Sequence, residues 1–210
     1  MATRQLPVFP LNVVLLPGTT LPLHLFEPRY RQLLTDIRAG NSQFGLLCTV
    51  PGVPEHAIPS GRHGCIAEVT DVEMLPDGRS NILVRGIARV ALDAYVDDAA
   101  PYRVAQVTTV DDLPSDNAVA LAVLADDVAA NFRRIVKAVH TLNDDAAPPP
   151  PLPDDPVQLA WNIGAMIDLD FETRYQLLAE RHAAARLALI DGVLRRVLPD
   201  LELRAAMHRR

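Results

Sequence analysis

The sequence predicts an α+β protein in which a β-rich half precedes a helical half, and three observations carry that reading. Up to about Leu113, proline and glycine punctuate short segments rich in Val, Ile and Leu, the composition of strands and turns. After Leu113 alanine and leucine dominate, glycine almost vanishes, and apolar residues recur at helical spacing. The chain has 210 residues, 49% of them hydrophobic and 22% charged, enough for one large domain or two small ones. The expected division is therefore a β-rich region at 1–113 and a helical region at 114–210. The helical region holds a long helix, a proline-rich linker at 144–156 and a bundle.

Leu6 to Phe9 and Thr20 to Phe26 read as strands joined through Leu16-Pro17-Gly18, where proline presets φ and glycine accepts a positive one. From Pro28 to Ala39 the period changes. Tyr30, Leu33, Leu34 and Ile37 fall on one helical stripe, with Pro28 in the first turn and Gly40 as the C-cap. Phe44 to Val50 is a further strand, and Pro51 to Gly64 is a loop carrying His56 and His63. Cys65 to Leu75 and Ser80 to Leu92 form a hairpin around Pro76-Asp77-Gly78-Arg79, and Tyr102 to Val110 is the last strand. Gly86 inside a strand predicts a bulge or bend, which lets a sheet curl toward a barrel.

Ser115 is the expected N-cap of a helix running to about Asn143, with Leu121, Val128, Phe132, Ile135, Val139 and Leu142 along one side. The unbroken row Pro148 to Pro151 cannot be helical and makes the linker stiff and extended. Asp155 as N-cap with Pro156 at the first position starts a helix that carries Trp161 and ends near Ile167. Phe171 to His182 and Ala183 to Leu198 complete the bundle. The last helix is expected to bury Leu187, Ile190, Leu194 and Val197 and to stop at Pro199, leaving a frayed basic tail that ends His208-Arg209-Arg210.

Composition excludes several function classes. Lys137 is the only lysine, and it lies in Ile-Val-Lys-Ala-Val, not in the Gly-Lys-Ser/Thr of a phosphate-binding loop, so the chain is no P-loop ATPase. A Ser-Lys hydrolase or a Schiff-base enzyme would have to use that one helical lysine. A net charge of −6 and a pI near 5.4 argue against a protein that tracks nucleic-acid duplexes. The N-terminus, broken by Pro7, Pro10 and Pro17, is unlike a secretory signal, and no apolar run is long enough for a bilayer. Cys48 and Cys65 fit free thiols in a reducing compartment, so the expected location is the cytoplasm.

Cys48, His56, His63 and Cys65 are the best metal candidates, but only His63 and Cys65 are close in sequence, so no metal site is expected. There is no Gly-x-Ser-x-Gly elbow and no oxyanion motif beside either cysteine. A small hydrolase using Cys65 stays an alternative, and no catalytic residue is assigned. The acid pairs Asp97-Asp98, Asp111-Asp112, Asp126-Asp127, Asp144-Asp145 and Asp154-Asp155 point apart along their elements and read as solvated surface. Asp77-Gly78-Arg79 is accounted for by the hairpin turn alone.

Three blocks in order carry a family resemblance. Leu6-Pro-Val-Phe-Pro-Leu-Asn-Val-Val-Leu-Leu-Pro-Gly, with Leu21-Pro-Leu-His-Leu-Phe-Glu-Pro-Arg-Tyr-Arg, closely resembles the opening of the Lon protease N-terminal domain. Cys65-Ile-Ala-Glu-Val, Leu75-Pro-Asp-Gly-Arg and Val84-Arg-Gly-Ile-Ala-Arg-Val resemble its second hairpin. Asp155-Pro-Val through Leu177-Leu-Ala-Glu to Arg186-Leu resembles its helical end. The resemblance implies a PUA-like β pseudo-barrel followed by a C-terminal α-helical bundle, used to recognise protein substrates without cofactors. It also implies a stand-alone member without ATPase or peptidase modules, since Lon's catalytic lysines belong to those modules. Trp161 is the only tryptophan, so the three-tryptophan cage of cereblon-type relatives cannot form.

The function implied is non-catalytic binding of unfolded or degron-bearing polypeptides, as an adaptor in protein quality control that works with a separate protease. The barrel would supply a strand edge and an apolar groove, while the helices would form a wall of the cleft between the halves. The candidate polypeptide-binding residues are Leu15, Leu16, Pro22, Phe26, Glu27, Arg29 and Tyr30. Leu15 and Leu16 are included because their loop is expected to stay partly exposed, and Glu27 and Arg29 as a polar pair beside Tyr30. The competing structural role is that Glu27 caps the helix while Arg29 ties the strand to the barrel wall through a carboxylate. RNA binding through the PUA-like fold is the alternative partner class, and it would need arginines and aromatics clustered on one barrel face.

Overall fold

Strand β1 (Thr3–Leu11) pairs in parallel with β3 (Gln43–Cys48) and antiparallel with β6 (Arg103–Thr109). From β3 the sheet continues through β4 (His63–Met74) to β5 (Ser80–Val96), and β5 pairs with β6, closing a ring. Strand β2 (Thr20–Leu25) lies outside that ring and, among the described residues, pairs only with the opening stretch of β5. This is the expected pseudo-barrel. The computed structural model describes residues 2–97 and 99–208, so Asp98 and the Arg209-Arg210 end of the basic tail lie outside the described residues.

The long β5 serves both sides of the sheet because it bends. Ile66 faces Ala88 but Ala67 faces Gly86, so Ile87 is the extra residue of a bulge, and a second irregularity lies between Val69 and Asp71. Gly86 is required for a second reason. A Cβ there would sit 2.4 Å from the Leu16 carbonyl oxygen. That close approach lets Gly86 donate its amide to Thr19 O and accept from the Gly18 amide, which pins the loop before β2.

Helix α1 (Pro28–Arg38) buries the expected stripe of Tyr30, Leu33, Leu34 and Ile37 against Phe9, Leu15, Leu25, Phe44, Ile82 and Val84. Its C-cap is Ala39 rather than Gly40, whose amide still bonds Ile37 O. A second cluster, including Leu6, Val8, Leu47, Ile66, Val90 and Val107, fills the ring.

The chain forms two compact units, one of residues 2–111 with 169–179 and the other of residues 112–168 with 180–208. Residues 169–179 include α4 (Phe171–Ala179), which lies against β4, its Tyr175 packing edge-on with His63, and which buries Leu177 and Leu178. Arg62 fixes its N-terminal end: the guanidinium lies 3.7 Å from the Tyr175 ring centroid and donates to Cys48 O and Thr49 O. Arg89 fixes the other end by donating to Leu178 O at 3.1 Å.

The second unit packs α2 (Ala118–Leu142) and α3 (Pro156–Met166) on α5 (Ala183–His208). Asn117, not Ser115, caps α2: its side chain accepts from the Ala120 amide, while Ser115 Oγ accepts from the Asn117 amide. Asp155 caps α3 through the Gln158 amide, with Pro156 in the first turn. The expected stop at Pro199 does not occur. Packing overrides the lost hydrogen bond, because Leu198 and Ala205 are buried and Glu202 forms a paired contact with Arg134 of α2. Within the same helix Val197 faces outward, 40% exposed, and Leu198 lies in the core instead. Asp112 is likewise no solvated acid, since both its oxygens hold the fully buried Arg186, whose guanidinium lies 4.1 Å from the Trp161 ring centroid.

Candidate functional site

Alternation along β2 sends Leu21, Leu23 and Leu25 toward the core and leaves Thr20, Pro22 and His24 exposed on the opposite face. Register with β5 then builds a surface. Pro22 lies opposite Leu83 and His24 opposite Asn81, whose Oδ1 is 2.7 Å from His24 Nδ1. Phe26, 60% exposed just after β2, stacks on His24 with centroids 6.1 Å apart, and Leu83 is 37% exposed. Pro22, Leu83, His24 and Phe26 thus form an apolar and aromatic row beside the outer edge of the sheet.

The structure brings only some of the expected set onto this surface. Pro22 and Phe26 are on it. Leu15 and Leu16 are not: they are 2% and 1% exposed, because the loop is drawn inward by its bonds to Gly86 and Leu15 joins the core cluster. Tyr30 is also buried, its ring 3.8 Å from that of Phe9, so its bulk is core and only its hydroxyl reaches a polar partner, Glu55. Burial and the nearby Glu55 carboxylate push the Tyr30 hydroxyl well above the usual phenol range.

Glu27 and Arg29 are half-buried and form a network whose third member, Glu55, the sequence did not suggest. Arg29 Nε donates to Glu27 at 2.8 Å, and its two terminal nitrogens donate to the two Glu55 oxygens at 2.7 and 3.2 Å. Glu55 opens a single 3-10 turn, Glu55–Ala57, and its main-chain oxygen accepts from the Tyr95 hydroxyl. Arg29 therefore ties the start of α1 to the 51–64 loop, and Glu27 caps the helix through its main-chain oxygen alone. The missed partner lies in an irregular loop, where no periodicity signals contact. His24 and Leu83 were missed for another reason: they become neighbours only through strand register.

The cysteines are built as core. Both are buried, and burial pushes each thiol up to about 12, well above the ordinary thiol range, as expected of small core side chains. Among the described residues no three His, Cys, Asp or Glu side chains gather as metal ligands. His63 instead packs edge-on against Tyr175, whose hydroxyl accepts from the His63 amide, and burial lowers its pKa. The helical unit holds its own apolar groove of about 740 Å³, lined by Phe132, Val136, Met166, Val193, Val197 and Leu201 among others. No helix among the described residues is long and apolar enough to cross a membrane.

The profile of the ATP-dependent protease La (LON) substrate-binding domain matches residues 5–196. The chain belongs to the Lon substrate-binding domain family. Lon protease 2 of Herpetosiphon aurantiacus is 29% identical over 210 residues, 96% of this chain, and Lon protease of Roseiflexus castenholzii is 30% identical over 91% of it. The chain spans about a quarter of the length of these relatives, 25% and 24%. Among solved structures, the Lon N-terminal domain protein from Xanthomonas campestris is 25% identical with a TM-score of 0.65, covering 90% of this chain and 98% of that one. The N-terminal domain of Mycobacterium avium complex Lon protease shares the fold, with a TM-score of 0.67 at 20% identity over 91% of this chain and 98% of that one.

Proposed function

We propose that this Lon substrate-binding domain holds unfolded or degron-bearing polypeptides without catalysing a reaction, as an adaptor in cytoplasmic protein quality control that passes clients to a separate protease. The observation that supports the reading is the exposed row of Phe26, Pro22 and Leu83, set beside a sheet edge in a chain whose family is described as a substrate-binding domain. Recognition of a non-native chain needs apolar area open to solvent, and Phe26 offers it, 60% exposed with only the His24 ring stacked beside it. Because a flexible client must be ordered on binding, affinities of about 1–100 μM are expected.

The test mixes the protein with the native and the reduced, carboxymethylated forms of one test protein. Preference for the unfolded form, weakened at least about fivefold by Phe26→Asp, supports the reading. Equal binding to both forms, or none, overturns it.

A further inference from the structure

The apolar row borders an edge of β2 whose main chain has no partner among the described residues, and the register tells which groups are free. The Gly86 amide donates to Thr19 O, so Thr19 and Gly86 form a hydrogen-bonded pair. Continuous register from Thr20/Arg85 to Leu25/Ser80 then makes Leu21, Leu23 and Leu25 the residues that bond β5. Thr20, Pro22 and His24 turn their main-chain groups away from β5. Two facts agree with this parity. Leu83 O, across from Pro22, is taken on its other side by Thr70 Oγ1, and the one proline of the strand sits where its missing N–H deprives no partner.

We propose that a client is held here by strand addition: an extended polypeptide segment pairs its main chain with the outer edge of β2, and Pro22 keeps that edge for clients rather than for a second copy of this chain. This rests on the polypeptide-binding reading above and names the form in which the client is bound. The edge offers donors at Thr20 and His24 and acceptors at Thr20, Pro22 and His24, so one extended segment of about five residues spans it. Alternate client side chains then lie beside Pro22, His24 and Phe26 on the outer face, and the others beside the partly buried Leu21 and Leu23.

The choice of occupant follows from the proline. A client residue opposite Pro22 still donates to Pro22 O, so only one bond of the added ladder is missing. In a two-fold pairing of two copies each brings its own Pro22 without a donor, so two bonds are missing, both from the same central pair where Pro22 faces Pro22. Register specificity, rather than lack of apolar surface, therefore keeps the edge from closing on itself.

The experiment uses the full chain and a fluorescent ten-residue peptide of alternating Val and Thr, read by anisotropy, beside the same peptide N-methylated at its consecutive central residues. Methylation removes the donors and keeps the side chains, so at least a tenfold loss of affinity is expected. Pro22→Thr, on an exposed position, is expected to tighten the parent peptide about threefold and to yield a concentration-dependent dimer by analytical ultracentrifugation. Equal affinity for the two peptides overturns strand addition while leaving side-chain binding of clients standing, as does a Pro22→Thr protein that changes neither peptide affinity nor oligomeric state. Failure of the reduced, carboxymethylated protein to bind overturns the underlying reading as well.

Discussion

At the scale of single residues, burial decides which chemistry is left available. The two thiols look like candidate ligands or nucleophiles in a bare sequence, but Cys65 packs against Gly86 at the bulge and Cys48 sits at the end of β3, both without access to water. Their raised pKa values carry a stability consequence with a definite sign. Each thiol stays protonated in the folded chain up to about 12, whereas in the unfolded chain it ionises near 9.0. The stabilisation is complete below pH 9 and is lost as the pH rises from 9 toward 12, because the unfolded state then releases protons the folded state keeps. At pH 10, one unit above the unfolded value, each thiol costs on the order of 1 kcal/mol. Urea unfolding at pH 8 and pH 10 should therefore show a loss larger by about 2 kcal/mol in the parent than in a Cys48→Ala/Cys65→Ala variant. Tyr30 and Tyr95, also raised, give a background common to both. Equal losses would show that the thiols titrate alike in both states.

At the scale of elements, what could be read in advance depended on whether the determinant was local. The stripe of α1, the Asp77-Gly78 turn and the Asp155-Pro156 start of α3 are set by neighbours in sequence, and each stands where it was expected. The edge at β2 was legible only as a strand; its exposed row needed the register with β5, and Leu15 and Leu16 were misplaced because the Gly86 contact that buries them is long-range. Pro199 shows the limit most directly. As a local signal it ends a helix, yet α5 runs through it to His208, since Arg195 and Pro199 both face solvent and water can satisfy the freed carbonyl. The proline is a local conflict tolerated for the sake of packing at Leu198 and Ala205. Replacing it should relieve the conflict: Pro199→Ala is expected to stabilise the protein by about 1–2 kcal/mol, some of the helix gain being offset by a less restricted unfolded chain. Denaturant titration of the two proteins checks this, and a destabilised variant would mean that the proline sets a bend the packing requires.

At the scale of the whole molecule, the chain order and the grouping of elements diverge. The first unit's continuous stretch ends at Asp111, and the same unit takes up residues 169–179 from much later in the chain. Nothing in the periodicity of α4 could reveal this, because an apolar face specifies that a helix is buried and not against what. The partner is identified by groups far apart in sequence: Arg62 against Tyr175 and Phe171, the His63 amide on the Tyr175 hydroxyl, and Arg89 on Leu178 O. A fragment cut at the composition boundary, residues 1–113, would keep every strand and lose the helix that covers these groups. With α4 gone, Arg62 loses the Tyr175 and Phe171 rings, the His63 amide loses the Tyr175 hydroxyl and Arg89 loses Leu178 O, contacts worth together about 3 kcal/mol. The fragment should accordingly unfold at least about 10 °C below the same fragment carrying residues 169–179 joined by a flexible linker, measured by circular dichroism in the β-sheet band. If the two melt together, α4 is an accessory to a barrel stable without it. If only the linked form gives a cooperative transition, the unit that presents the β2 edge is completed by a helix encoded some sixty residues after its last strand.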